Sequence, residues 1–223
     1  MVFADRHEAG TLLAERLLEL KPSDPVVLAL PRGGVPVGFE IARALRAPLD
    51  LVLVRKIGVP FQPELAIGAV ADGPELVTDP HLIADLNIPS SYLEEAKADA
   101  LREIERRRHV YLGAHPPVDI AGRTAIVVDD GIATGATIRA ALRGTRRRKP
   151  AHVILAVPVA PEDTLRRLRG EVDTTICLHT PAHFMAVGQF YRNFEQLADA
   201  EVTDLLNQAR AFVSVRTSPG MPQ

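Results

Sequence analysis

Two adjacent acids, Asp129 and Asp130, end an unbroken apolar run, Ala125-Ile126-Val127-Val128, and lead into Gly131-Ile132-Ala133-Thr134-Gly135-Ala136-Thr137. Adjacent carboxylates can accept hydrogen bonds from the hydroxyls of a ribose. The small residues that follow let backbone N–H groups, with the Thr134 and Thr137 hydroxyls, surround a phosphate at a helix N-terminus. The combination suits a sugar phosphate. A plainer reading, an acidic helix cap before a glycine turn, covers the acids and glycines but not the whole string. Two further sets could meet an anion. Arg32-Gly33-Gly34 follows the apolar run 26–30, and paired glycines permit close backbone approach and unusual dihedrals. Arg55-Lys56 follows the run 49–54, where two cations can serve either as anion contacts or as solvated strand-end charges.

These residues need a frame. The runs 26–30, 125–128 and 153–159 are short and continuously apolar, the pattern of strands buried on both faces of a parallel sheet, and 49–54 and 172–178 read as two more strands. Between and around them, 3–20, 39–45, 92–111, 138–142, 161–169 and 201–213 read as helices. Residues 57–64 read as a loop, 65–70 as a strand, 73–78 as a hairpin return and Asp79-Pro80 as a turn. The alternation predicts an α/β fold: a largely parallel, doubly wound sheet flanked by helices, in a single domain spanning 1–223. Its core covers 1–178, a small hood segment with a C-terminal helix 179–215, and a tail 216–223. Such sheets bind ligands at the carboxyl ends of their strands, where both loops and the Arg55-Lys56 pair would lie.

Composition narrows the function. The 223 residues carry 26 basic and 28 acidic side chains, a net charge of −2, so no global field recruits nucleic acid or a membrane surface. The basic run 102–109 is interleaved with Glu103 and Glu105 at helical spacing, a salt-bridged solvated face. The arginines of 143–150 suit a helix C-terminus. One cysteine, Cys177, fits a reducing compartment. With His179 and His183 it falls short of a zinc site, because no fourth ligand follows. No apolar run approaches the ~20 residues of a membrane span. A cytoplasmic location is expected, and a homo-oligomer is compatible with the chain.

The string from Ala125 to Thr137 resembles the phosphoribosyl pyrophosphate (PRPP) motif of the type I phosphoribosyltransferases, closest to their uncharacterised members. Arg32-Gly33-Gly34 resembles the pyrophosphate loop of the same family, in a form that often carries a non-proline cis peptide. The resemblance covers about 26–160. It implies transfer of a 5-phosphoribosyl group from PRPP to a nitrogen nucleophile, with Mg²⁺ as cofactor and pyrophosphate as the leaving group. Asp129 and Asp130 would hold the ribose hydroxyls and, directly or through water, the metal. Gly131, Ala133, Thr134, Gly135, Ala136 and Thr137 would bind the 5-phosphate side. Arg32, Gly33, Gly34, Arg55 and Lys56 would bind pyrophosphate, with Arg55 and Lys56 sharing in catalysis. The loop 57–64 would close over the reacting centre, bringing Glu64 toward substrate. Hood aromatics among Phe184, Phe190, Tyr191 and Phe194 would pack the lobe, with one or two stacking on a base. The 6-oxopurine members carry an aspartate where this chain has Ala133, which counts against purine salvage. A non-catalytic PRPP- or nucleotide-sensing protein with the same fold stays open as an alternative.

Overall fold

In the computed structural model, which describes residues 1–71, 76–78 and 80–214, the apolar runs 26–30, 125–128 and 153–159 form one parallel sheet together with the first part of 49–54 and most of 172–178. Its strands are β1 (Pro25–Ala29), β2 (Leu49–Leu51), β6 (Thr124–Val128), β7 (His152–Val159) and β8 (Thr174–His179), in the order β2-β1-β6-β7-β8. Every residue of β1 and β6 is buried. Alternate side chains serve opposite faces, as the pleat requires. Val26, Leu28, Ala125, Val127 and Leu155 pack with Ile138, Ala141 and Leu142 of α5 (Ala136–Arg147). Val27, Ile126, Val128 and Ile154 pack with Leu13 and Leu17 of α1 (Arg6–Leu20) and with Val37 and Ile41 of α2 (Gly34–Leu45).

The strand order fixes where a ligand can enter. From β1 the chain steps outward to β2, whereas from β6 it steps the other way, to β7 and then β8. The winding therefore reverses between β1 and β6, and open α/β sheets bind ligands in the crevice at that reversal. The two strands pair in register, Val27 beside Ile126 and Ala29 beside Val128. The loops that follow them consequently emerge side by side.

A second, antiparallel sheet corrects the reading of 49–70. The run 49–54 is not one strand: β2 stops at Leu51, and β3 (Val54–Val59) begins a separate three-stranded sheet with β4 (Gln62–Ala71) and β5 (Leu76–Thr78). The expected loop 57–64 is instead the end of β3, a two-residue turn at Pro60-Phe61 and the start of β4. This sheet packs on α4 (Ser90–Leu112), and its Ile57, Ile67 and Val70 share one apolar core with Ile104 of α4 and with Val202 and Leu206 of α7 (Asp199–Ser214). A short helix, α3 (Pro80–Asp85), occupies the place of the expected turn. Residues 73–75 of the expected hairpin return, Asp79, and the whole expected tail 216–223 lie outside the described residues. Between β7 and β8 lies α6 (Glu162–Leu168).

Two helix starts also differ from expectation. α2 begins at Gly34, five residues before the predicted 39, because Pro36 falls in the first turn, where no N–H is needed. α1 begins at Arg6, with Asp5 capping the His7 and Glu8 N–H groups. Phe3, read as helical, instead bridges to Tyr191, its N–H donating to the Phe190 carbonyl. The N-terminus thereby belongs to the hood segment: Phe3 packs with Phe190 and Tyr191, both buried. No helix among the described residues is long and apolar enough to cross a membrane.

Candidate functional site

At the carboxyl end of β6, Asp129 and Asp130 are largely buried, and burial costs a carboxylate most when it is charged. It raises the Asp129 carboxyl well above the ordinary carboxylate range, and the neighbouring Asp130 charge pushes it further. Burial also raises Asp130, although the Arg6 guanidinium opposes the rise. Arg6 Nε lies 2.8 Å from Asp130 Oδ2, with both side chains little exposed, at 11% and 13%. Arg6 is itself fixed, donating to the Glu195 carbonyl at 2.9 Å and lying 4.0 Å above the centre of the Phe194 ring. The Tyr191 hydroxyl donates to the Asp130 carbonyl at 2.6 Å. Burial, then the Asp130 charge, hold that phenol far above its usual range.

The loop after β1 is pressed against these acids. A Cβ on Gly33 would fall 1.9 Å from Asp130 Oδ2, and one on Gly34 would fall 2.7 Å from the Val128 carbonyl oxygen. Gly33 has ordinary helical dihedrals, φ −60° and ψ −36°. The paired glycines therefore provide close approach between the two loops, and the unusual dihedrals expected of them are not used. The Pro31–Arg32 peptide bond is cis. Arg32 extends toward α7, 3.8 Å from Asp199.

The third wall is the start of α5. Gly135 is its N-cap at φ +82°, a conformation that favours glycine, and no side chain caps the helix. A first turn without a cap presents N–H groups to an anion, with the helix dipole behind them. Ala133 and Thr134 are exposed, and Thr137 is half-buried. The turn is held from behind: Thr164 of α6, 2% exposed, donates its hydroxyl to the Ala133 carbonyl at 2.9 Å, and Ile132 N–H donates to the Val159 carbonyl. Gly131 fits between Val159 and Val187, where a Cβ would come within 2.9 Å of both.

Arg32, Gly33, Gly34, Asp129 and Asp130 thus meet at the sheet reversal, with Gly131 and Ala133 to Thr137 alongside. Arg55, on β3, joins them by lining a small cavity with Pro31 and Thr137. Lys56 is placed differently. It lines a cavity of about 510 Å³ against Tyr92, Glu95 and Asp99 of α4, which no residue of the two loops reaches. Glu64 lies in the hairpin, and its side chain falls outside the described residues. A wider cavity of about 890 Å³ opens beside Ala133 and Thr134, walled by Pro161 and Glu162 and by Phe184 and Met185 of the hood. Of the other hood aromatics, Phe190 stacks on Phe184, and Phe194 on Tyr191. Arg6 and Thr164 carry no signal of their own in the sequence, and Tyr191, read as a hood aromatic, carries none for its bond to Asp130. Their partners are 124, 31 and 61 residues away, and only the fold brings them together.

An open parallel sheet with an acid pair and an uncapped helix start at its reversal defines an α/β protein whose crevice lies at the carboxyl ends of its strands. The chain belongs to the phosphoribosyl transferase domain family, whose model matches residues 6–195. It is 45% identical over 208 residues to "Putative phosphoribosyl transferase Rv0571c" of Mycobacterium tuberculosis strain H37Rv, and equally to its counterpart in strain CDC 1551. Those matches cover 93% of this chain and 47% of theirs, so the chain spans about half the length of the curated relatives it matches. The crystal structure of TT1426 from Thermus thermophilus is similar at 42% identity and a TM-score of 0.81, over 93% of this chain and 99% of that one.

Proposed function

We propose that this chain transfers a 5-phosphoribosyl group from PRPP to a nitrogen nucleophile and releases pyrophosphate. The observation that carries the reading is the contact between the two loops at the sheet reversal, Gly33 directly against the Asp130 carboxylate. It gives one crevice with an acid pair in the middle, an uncapped helix start on one side and an arginine loop on the other. Asp129 and Asp130 accept hydrogen bonds from the ribose hydroxyls. The N–H groups of the first turn of α5, with the Thr134 and Thr137 hydroxyls, hold the 5-phosphate. Arg32, the backbone of Gly33 and Gly34, and Arg55 hold the pyrophosphate; Lys56 stands outside this group.

Mg²⁺ fits the donor set. Among the described residues no cluster of three or more metal-ligating side chains exists. Mg²⁺ keeps several waters and binds through one or two carboxylates plus substrate phosphates, so an acid pair is enough. When bound with PRPP it neutralises charge on the departing pyrophosphate. The chain's own contribution is positioning and electrostatics: it aligns the sugar between its two anionic ends and keeps a buried, negative surface beneath it. The acceptor enters through the cavity beside Ala133, where Phe184 and Met185 offer an apolar wall to a planar ring.

A second reading has one observation in its favour: Arg6 already occupies Asp130 with an ion pair. In a PRPP-sensing protein that pair would be exchanged for ligand without chemistry. Pyrophosphate release, measured with PRPP, Mg²⁺ and a panel of nucleobases and small amines, separates the two. Release that depends on an acceptor supports transfer; tight PRPP binding with no release from any acceptor contradicts it.

A further inference from the structure

We propose that Arg107 of α4, assisted by Arg106, completes the pyrophosphate subsite, an assignment that rests on the phosphoribosyl-transfer reading above. No motif points to this helix, and its basic run reads in the sequence as a solvated face. For part of the helix that holds: Arg102 pairs with Asp99, both exposed. Arg107 is different because two cavities share it.

The first cavity, of about 40 Å³, is lined by Pro31, Arg55, Arg107 and Thr137 among others. It is walled by the loop after β1, through Pro31, and by the first turn of α5, through Thr137. The second, of about 150 Å³, is lined by Arg32, Arg106, Arg107, Tyr111 and Asp199. Arg107 thus stands between Arg32 and Arg55, the two cations already assigned to pyrophosphate. The Tyr111 phenol registers the same convergence. Burial and its bond to Asp199 push it up to about 12, while the charges of Arg107 and Arg32 both pull it back.

The side chain is also free to act. Arg107 spends only Nε on a protein partner, Glu103 Oε1 at 2.8 Å. Its Nη1 and Nη2 make no hydrogen bond to the described residues. Arg106 donates twice to Glu103, at 2.8 and 3.0 Å. Glu103, lowered to about 2 first by its bond to Arg106 and then by that to Arg107, stays ionised and anchors both guanidiniums on one side of the helix. Four arginines (32, 55, 106 and 107) face two carboxylates (Glu103 and Asp199), an excess of positive charge around the two cavities. A planar guanidinium with two free ends matches phosphate oxygens in pairs, which a lone lysine could not do. The ligand chemistry is that of a compact diphosphate, and its position beside Arg32 assigns it to the leaving group.

The test is calorimetric titration of inorganic pyrophosphate with Mg²⁺, and separately of ribose 5-phosphate, into the wild type, Arg107→Ala, Arg107→Gln and Arg102→Ala. The Gln variant keeps most of the stem and carries the same expectation if the Ala variant melts early. Loss of the Arg107 guanidinium weakens pyrophosphate at least about tenfold and leaves ribose 5-phosphate unchanged. Arg102→Ala, the same loss of charge on the same helix, leaves both unchanged. Wild-type pyrophosphate affinity in the folded Arg107 variants overturns the inference and leaves the transfer reading standing. So does equal weakening by Arg102→Ala, which would reveal a general charge effect. A wild type that binds neither ligand overturns both.

Discussion

Asp130 is held from three directions: by the Arg6 guanidinium, by the Tyr191 hydroxyl on its carbonyl, and by the loop in which only a glycine at 33 leaves it room. The first and the last of these contacts each make a prediction. Arg6 opposes the rise in the Asp130 pKa, so Arg6→Ala lets that pKa rise further. Binding of a magnesium–phosphate ligand needs the ionised acid. The acidic limb of PRPP affinity against pH therefore moves to higher pH in the variant, and an unmoved limb would show that Arg6 does not act through Asp130. Asp129 gives a stability prediction. Its folded-state pKa is raised above the ordinary ~3.9. The group therefore stabilises the fold at pH below that ordinary value, and the advantage disappears as pH rises through the folded value. Asp129→Asn removes the buried charge, so it melts above the wild type at pH 7, and the gap closes toward pH 4. The glycines separate as well. Gly34→Ala meets backbone and costs about 1–3 kcal/mol in a denaturant melt, the usual range for overpacking. Gly33→Ala meets only the Asp130 carboxylate, so it lowers PRPP affinity more than stability.

Elements were legible where the physics is local. Runs such as Ala125-Ile126-Val127-Val128 announce strands because the central strands of a parallel sheet are buried on both faces. The acids and small residues after β6 were legible for the same reason, since a buried strand must discharge its polar groups at its end. The hairpin was not. Gly58, Pro60 and Gln62 interrupt the alternation between β3 and β4, with register shifts around Gly58, and they imitate a loop. Arg55-Lys56 reads as a strand end because the parallel strand does stop just before it, at Leu51. Arg6 and Arg107 were invisible because an arginine on a charged helix has no local mark, and its partner is chosen by the fold. One element-scale prediction follows from α6. Thr164→Val keeps shape and removes the hydroxyl that holds the Ala133 carbonyl. It lowers stability by about 1 kcal/mol and weakens ribose 5-phosphate, whereas unchanged sugar-phosphate affinity would show that the turn keeps its shape without α6.

At the scale of the whole molecule, the hood, the antiparallel sheet and α4 each wall a cavity that reaches the loops at the reversal of the parallel sheet, and the transfer reading draws on all three. The same arrangement bears on the acceptor. Ala133 supplies no carboxylate of its own to the open cavity, and general acid–base help from that position would be worth about 10²–10⁴-fold in rate. Hypoxanthine, guanine and xanthine therefore support little pyrophosphate release at saturating PRPP; turnover of roughly 1–10³ s⁻¹ with any of them would show that another residue replaces the missing acid. The central claim is that the acid pair at the end of β6 holds PRPP. It is tested most directly by titrating PRPP in magnesium buffer into the wild type and into the Asp129→Asn/Asp130→Asn double variant. The account predicts Mg²⁺-dependent binding by the wild type and its loss in a variant that remains folded; equal affinity in the two proteins would contradict it.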